Sequence, residues 1–125
     1  MPLEPGRTGH AEVLVTDTDT ALAHGSGDVA VISTPKVVAL CEEAAIAALG
    51  DSLASNETTV GMRIQLDHLA PTAIGGRVQA DAKLEKVEGR RLIFSVSVND
   101  DRGLVAAGKV TRVIVDRDQF LDKCR

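Results

Sequence analysis

The stretch STPKVVALCEEAAIAALG, Ser33 to Gly50, constrains the fold more than any other part of the chain. Thr34 can serve as its N-cap, Pro35 suits the first helical position and Gly50 can close the end. Its Ala and Leu content favours helix. It is the only long helix the sequence offers, and it is apolar on most sides. Such a helix has to be wrapped by something else.

The wrapping material comes next in the chain. In VGMRIQLDHLA, from Val60 to Ala70, the period changes to two, with Met62, Ile64, Leu66 and His68 on one face. RVQADAKLEKV (Arg77 to Val87), LIFSVSVN (Leu92 to Asn99) and LVAAGKVTRVIV (Leu104 to Val115) are three more strands, joined by turns at Glu88-Gly89 and NDDRG. AEVLVT, Ala11 to Thr16, precedes the helix as a first strand. Between them DTDTALAHGSGDVAVI reads as a loop with short turns, long enough for a lid. DRDQFLDKCR ends the chain as a short helix. Short turns imply antiparallel neighbours. The expected class is α+β: a curved antiparallel sheet wrapped around one long central helix, as a single domain over residues 1–125.

Composition removes several functions. Phe94 and Phe120 are the only aromatic residues, 2% of the chain, so base stacking is hardly available. The net charge of -4 lacks the basic footprint of a nucleic-acid binder. No segment approaches the roughly 18 to 20 uninterrupted apolar residues of a membrane span. MPLEPGRTGHAEV has no leader-like apolar core, which makes a cytoplasmic location the expectation. Cys41 and Cys124 form no CxxC pair and no disulfide framework; Cys41 reads as a small buried hydrophobe.

Two residues break the apolar pattern. With Glu42 at zero on a helical wheel, Val38, Ile46, Leu49 and Pro35 all fall within about 40° of it. Lys36, Glu43 and Ala47 form the solvent strip, so Glu43 needs no special explanation. Glu42 does, because an unpaired charge on an apolar stripe is expensive. On that setting alone, neutralising it is expected to cost no stability and even to add some. His68 repeats the anomaly on the strand, in phase with Met62, Ile64 and Leu66. One reading is a buried pair that satisfies itself. The other is a carboxylate and an imidazole lining a pocket. Arg112 is in phase with Leu104, Ala106 and Val110; it faces either a ligand carbonyl or phosphate, or a core carboxylate. Gly61 allows close backbone approach or marks a bulge. From Lys83 to Arg112 there are seven Lys/Arg against four Asp/Glu, with Arg90 and Arg91 as candidate phosphate contacts.

TPKVVALCE, GMRIQLDH, KVEGRRLIFSVSVND and AGKVTR together resemble the hot-dog-fold fluoroacetyl-CoA thioesterase family, from about Thr34 to Val115. The spacings agree: a Thr eight residues before the helical Glu, and a Gly seven before the strand His. The resemblance implies that Thr34, Glu42 and His68 are catalytic and that Gly61 and Arg112 bind the acyl thioester. It further implies hydrolysis of an acyl-CoA, no metal or other cofactor, and a homodimer with sites near the interface. One departure is clear. That family's fluoroacetyl specialist has a phenylalanine-bearing lid ahead of the Thr, and this chain has GSGDVAVIS there, with Asp28 near the lid position. The alternatives are a non-catalytic acyl-thioester or small-molecule binding module of the same fold, and a purely structural dimerisation domain.

Overall fold

The computed structural model describes residues 3–125. Met1 and Pro2, the start of the stretch read for a leader, lie outside the described residues. The chain runs β1 (Thr8–Leu14), a 3-10 turn (Asp17–Asp19), α1 (Ala21–His24), α2 (Thr34–Leu49), β2 (Glu57–His68), β3 (Arg77–Glu88), β4 (Arg91–Asp100), β5 (Gly103–Asp116) and α3 (Arg117–Asp122). The five strands form one antiparallel sheet in the order β1-β3-β4-β5-β2, with β1 and β2 at the edges. This is the expected sheet-around-helix architecture.

Alternation in the strands makes the concave face. Val78, Ala80, Ala82 and Leu84 of β3 and Leu92, Phe94, Val96 and Val98 of β4 are buried, and their outward neighbours are polar except Ile93. They enclose the side of α2 that carries Val37, Leu40, Cys41, Ala44, Ala45 and Ala48. Small residues on α2 let the strands approach. At Gly9 of β1 a Cβ would run into the α2 backbone at Ala44 and Ala48, so glycine is required there.

Three expectations need correction. Ser33, not Thr34, is the N-cap: its hydroxyl accepts from the Lys36 N–H at 3.0 Å, and Pro35 becomes the second helical residue. Both residues are good caps, and the chain uses the first. The first strand begins earlier than read, at Thr8, and ends at Leu14. Finally, the strands are not regular. One extra residue bulges out at Met62 in β2, Glu85 in β3 and Val105 in β5. Each bulge switches the parity of the residues beyond it. Met62 is therefore not in register with Ile64, Leu66 and His68, and Leu104, 48% exposed, is not in register with Arg112.

Candidate active site

The bulge at Met62 has a functional consequence. Gly61 pairs with Arg112, Ile64 with Val110 and His68 with Ala106. Opposed residues in an antiparallel pair share a face. Gly61 and His68 differ in parity, yet the extra residue turns both toward α2.

Glu42 lies on the flank of α2 that faces Gly61, not in the core. Its stripe is largely open: Ile46 is 50% exposed, Pro35 is exposed and Val38 only half-buried, with Leu49 alone buried. The core-facing side is instead the one carrying Val37, Cys41 and Ala44. Glu42 Oε2 accepts from Arg112 Nη1 at 2.7 Å. The Arg112 side chain is buried, and its other donors are also engaged: Nε donates to Thr59 Oγ1 and Nη2 to the Thr59 carbonyl, each at 2.9 Å. A Cβ at Gly61 would collide with Glu42 Oε2 and stand 3.6 Å from Arg112 Nη1. Glycine here is thus both the neighbour of a bulge and the space the carboxylate occupies. Of the two readings of Arg112, the pairing with a carboxylate is the one seen. Thr59 was missed by sequence reasoning: it stands just ahead of Val60, where the strand was read to begin, whereas β2 starts at Glu57, and nothing short of the β2–β5 register reveals its partner.

Thr34 and His68 form a second pair. Thr34 Oγ1 is 2.8 Å from His68 Nδ1. Released from capping by Ser33, the Thr34 hydroxyl is free for this contact. His68 Nε2 is buried and has no hydrogen-bond partner among the described residues. In the first turn of α2, Pro35 lacks an N–H, and those of Lys36 and Val37 bond to Ser33. The pair opens on a cleft of about 340 Å³ between the Ser26–Val29 loop and the Leu69–Pro71 segment. That loop is exposed throughout, and Asp28 lines the cleft. Its stem is tied down on both sides. Thr20 bridges Ile32, Val31 bridges Ala73, and His24 Nδ1 is hydrogen-bonded to Ser33 Oγ. Lys36 reaches Asp19 at 3.6 Å, and Asp19, taking hydrogen bonds from the Thr16 backbone and hydroxyl, is held below the usual carboxylate range.

The two pairs do not meet within the chain. Thr34 and Glu42 are eight residues apart, about 12 Å along a helix. Gly61 and His68 are about 20 Å apart along the strand. No hydrogen bond joins Glu42 to Thr34 or His68 among the described residues. Arg90 and Arg91 stand at the Glu42 end of the sheet, where Arg90 is engaged with Glu57 at 3.5 Å and the Ile114 carbonyl at 3.4 Å. Cys41 is chemically quiet: burial, and then the neighbouring Glu42 charge, push its thiol up to about 11. No cluster of three metal-ligating side chains exists among the described residues. No helix there is long and apolar enough to cross a membrane.

The chain is similar to solved structures of thioesterases. The chain superposes on the fluoroacetyl-CoA thioesterase with a TM-score of 0.93 at 27% identity, covering 100% of this chain and 97% of that one. A thioesterase superfamily member from Thermus thermophilus matches with a TM-score of 0.90 at 26% identity, over 99% and 92% of the two chains. The fold defines a hot-dog-fold thioester hydrolase. Sequence narrows the class further. The family model described as fluoroacetyl-CoA-specific thioesterase matches residues 15–118, so the chain belongs to that family. The fluoroacetyl-CoA thioesterase of Streptantibioticus cattleyicolor is 34% identical over 95 residues, 76% of this chain and 68% of that protein. The activity that goes with this membership is hydrolysis of an acyl-CoA thioester.

Proposed function

We propose that the 125-residue chain is a single hot-dog domain that hydrolyses short, unfluorinated acyl-CoAs as a cytoplasmic homodimer, with Thr34, His68 and Glu42 at the site. The observation that carries the chemistry is the 2.8 Å contact between the Thr34 hydroxyl and His68 Nδ1. A hydroxyl within hydrogen-bond reach of an imidazole is the arrangement of a nucleophile and its base. In this reading Thr34 Oγ1 attacks the thioester carbonyl, and His68 Nδ1 takes its proton and passes it to the departing CoA sulfur. Nδ1 is the working nitrogen because Nε2 is sealed off. Water then attacks the acyl-threonine and gives one proton to Glu42; the bond to Thr34 Oγ1 breaks, the free acid leaves, and the proton passes to the Thr34 oxygen, restoring both groups. Glu42 spends one oxygen on Arg112 and keeps the other for that proton. Gly61 leaves room beside the carboxylate, and Arg112 holds it.

Two features support the dimer. β2 is a 12-residue edge strand with no neighbouring strand on its outer side among the described residues. Beside it Met62 is 48%, Ile64 38% and Ile46 50% exposed, an apolar margin that a second copy would cover. Antiparallel pairing of two β2 strands about a two-fold near Ile64 and Gln65 would set Gly61 of one copy beside His68 of the other. That juxtaposition would unite the separated halves, placing Glu42 of one copy across from Thr34 and His68 of its mate.

Subunit complementation tests this reading. Thr34→Val and Glu42→Gln chains are each expected to be inactive in a thiol-release assay on acetyl-CoA and butyryl-CoA. Mixed and refolded together, they should recover about a quarter of wild-type turnover, because half of the dimers are mixed and each carries one intact site. No recovery, with mixed dimers confirmed by mass, would place all three residues in one subunit. Binding of acyl-CoA without any turnover by the wild-type chain would favour the binding-module alternative.

A further inference from the structure

We infer that Thr59 is a positioning residue for hydrolysis, acting through Arg112 on Glu42. The inference deepens the proposed reaction and rests on the role given there to Glu42. Thr59 lies on β2, two residues before Gly61 and opposite Ile114, at 9% exposure. It takes two hydrogen bonds from one side chain, at its hydroxyl from Arg112 Nε and at its carbonyl from Nη2. A guanidinium is planar and rigid, so fixing two of its nitrogens fixes where the third points. The third, Nη1, donates to Glu42 at 2.7 Å.

Charge balance alone does not call for Thr59. The carboxylate already neutralises the guanidinium, and the buried strand position would suit Val as well as Thr. What the hydroxyl adds is direction. Without it, Arg112 Nε–H is left buried with no acceptor, a state that side chains avoid by moving. The space a Gly61 Cβ would fill is taken by Glu42 Oε2, the atom that Nη1 holds, so a shift of one side chain is passed to the other. A guanidinium that turns toward another acceptor draws the carboxylate along or releases it. Either way Glu42 no longer faces the position from which water attacks, and a small misplacement of a catalytic group is costly. Thr59 is 9% exposed and its hydroxyl is engaged by Arg112, so substrate affinity should be little changed.

The experiment compares Thr59→Val and Thr59→Ser in the full-length chain, with acetyl-CoA as substrate. Thr59→Val removes the acceptor at constant shape and is expected to lower kcat by about 10- to 100-fold, with KM within about twofold. Thr59→Ser restores the acceptor and should bring kcat back to within about threefold of wild type. In a Glu42→Gln background the Val substitution should have no further effect on residual turnover, because its action passes through the carboxylate. The Arg112 Nε–H resonance gives a readout independent of activity: slowly exchanging in wild type and Ser, lost in Val. Normal kcat in Thr59→Val, effects that multiply with Glu42→Gln, or a change confined to KM would each overturn the inference while leaving the hydrolase reading in place. A wild-type chain that turns over no acyl-CoA would overturn both.

Discussion

Glu42→Gln separates what the carboxylate does for catalysis from what it does for stability. Judged by its apolar neighbours on the helix, losing the charge should cost nothing. The Arg112 contact reverses that expectation. Arg112 is only 6% exposed and has this single carboxylate partner among the described residues, at 2.7 Å. Gln keeps an acceptor at the same place, so the guanidinium retains a hydrogen bond and loses only the negative charge on its acceptor. The difference between the two kinds of bond is about 1–2 kcal/mol. The Glu42 side chain is 31% exposed, so water screens part of the loss and the lower end applies. For a chain of this length that is a fall in Tm of about 3–8 °C. Thermal melts followed by circular dichroism measure it, with Glu43→Gln as the matched control. Glu43 is exposed and should leave both Tm and turnover unchanged. Turnover of Glu42→Gln should be lost at a temperature where the variant is fully folded. Adding Arg112→Met to Glu42→Gln should recover some of the lost Tm but no activity, since the stranded cation is then gone. A Glu42→Gln melt within 1 °C of the Glu43→Gln control, on the order of measurement error, would refute the pairing argument. Surviving turnover would refute the catalytic one.

Gly61→Ala should keep its fold, because its Cβ meets the side chains of Glu42 and Arg112 rather than backbone, yet lose about 10- to 100-fold in kcat by displacing the carboxylate. Gly108→Ala is the contrast: its Cβ would meet the β2 backbone at Gln65, so there the melting temperature should drop first. His68→Ala should lower kcat by about 10² or more, the scale of a lost acid–base group; a loss seen only in KM would make His68 a binding residue. Fluoroacetyl-CoA and acetyl-CoA should give similar kcat/KM, because the exposed loop at Asp28 carries no aromatic side chain; a preference above about a hundredfold would require a different gate. Asp100 is held below the usual carboxylate range, first by the Thr72 hydroxyl at 2.6 Å and then by the backbone N–H groups of Arg102 and Gly103. A lowered folded pKa gives stability that is present above the unfolded value near 3.9 and is lost as pH falls through the folded one. Thr72→Val should therefore melt lower at neutral pH and show a smaller further loss on acidification through that range, as followed by Tm against pH.

The elements were legible because each has a period and a stop. Pro35 and Gly50 bracket α2, and alternation runs through most of β3 and β4 without ambiguity. What the sequence hides is the single-residue insertion. Met62, Glu85 and Val105 look like ordinary members of their strands, and nothing in a one-dimensional pattern marks them as extra. Each one inverts the inside and outside of everything beyond it. Counting parity from His68 puts Gly61 on the wrong face, and counting from Arg112 puts Leu104 in the core, when it is exposed. Gly9 is hidden for a related reason: it is needed where β1 passes the α2 backbone, and that crossing exists only in three dimensions.

The residues of the candidate site stood out in sequence as polar groups in apolar company, and for Glu42 the direction read from that company was wrong. Glu42 does not point into the core. It sits at the seam between the α2 flank and the open edge of β2, and there the apolar neighbours have a different meaning. Ile46, Met62 and Ile64 are exposed in one copy of the chain, beside an ion pair whose arginine is buried. A lone subunit gains nothing from an apolar margin around a half-screened carboxylate. In the proposed dimer the same margin would be covered and water would leave the seam. The attraction between Glu42 and Arg112 would then strengthen, since the local dielectric falls. The carboxylate would meet the Thr34 and His68 of the other copy in a site that neither subunit completes alone. On this argument, dimer formation and assembly of the hydrolytic site are one event, and substitutions at the β2 margin such as Ile64→Lys should lose turnover and dimer mass in parallel. Full turnover by a monomeric Ile64→Lys chain would separate the two and defeat the composite site.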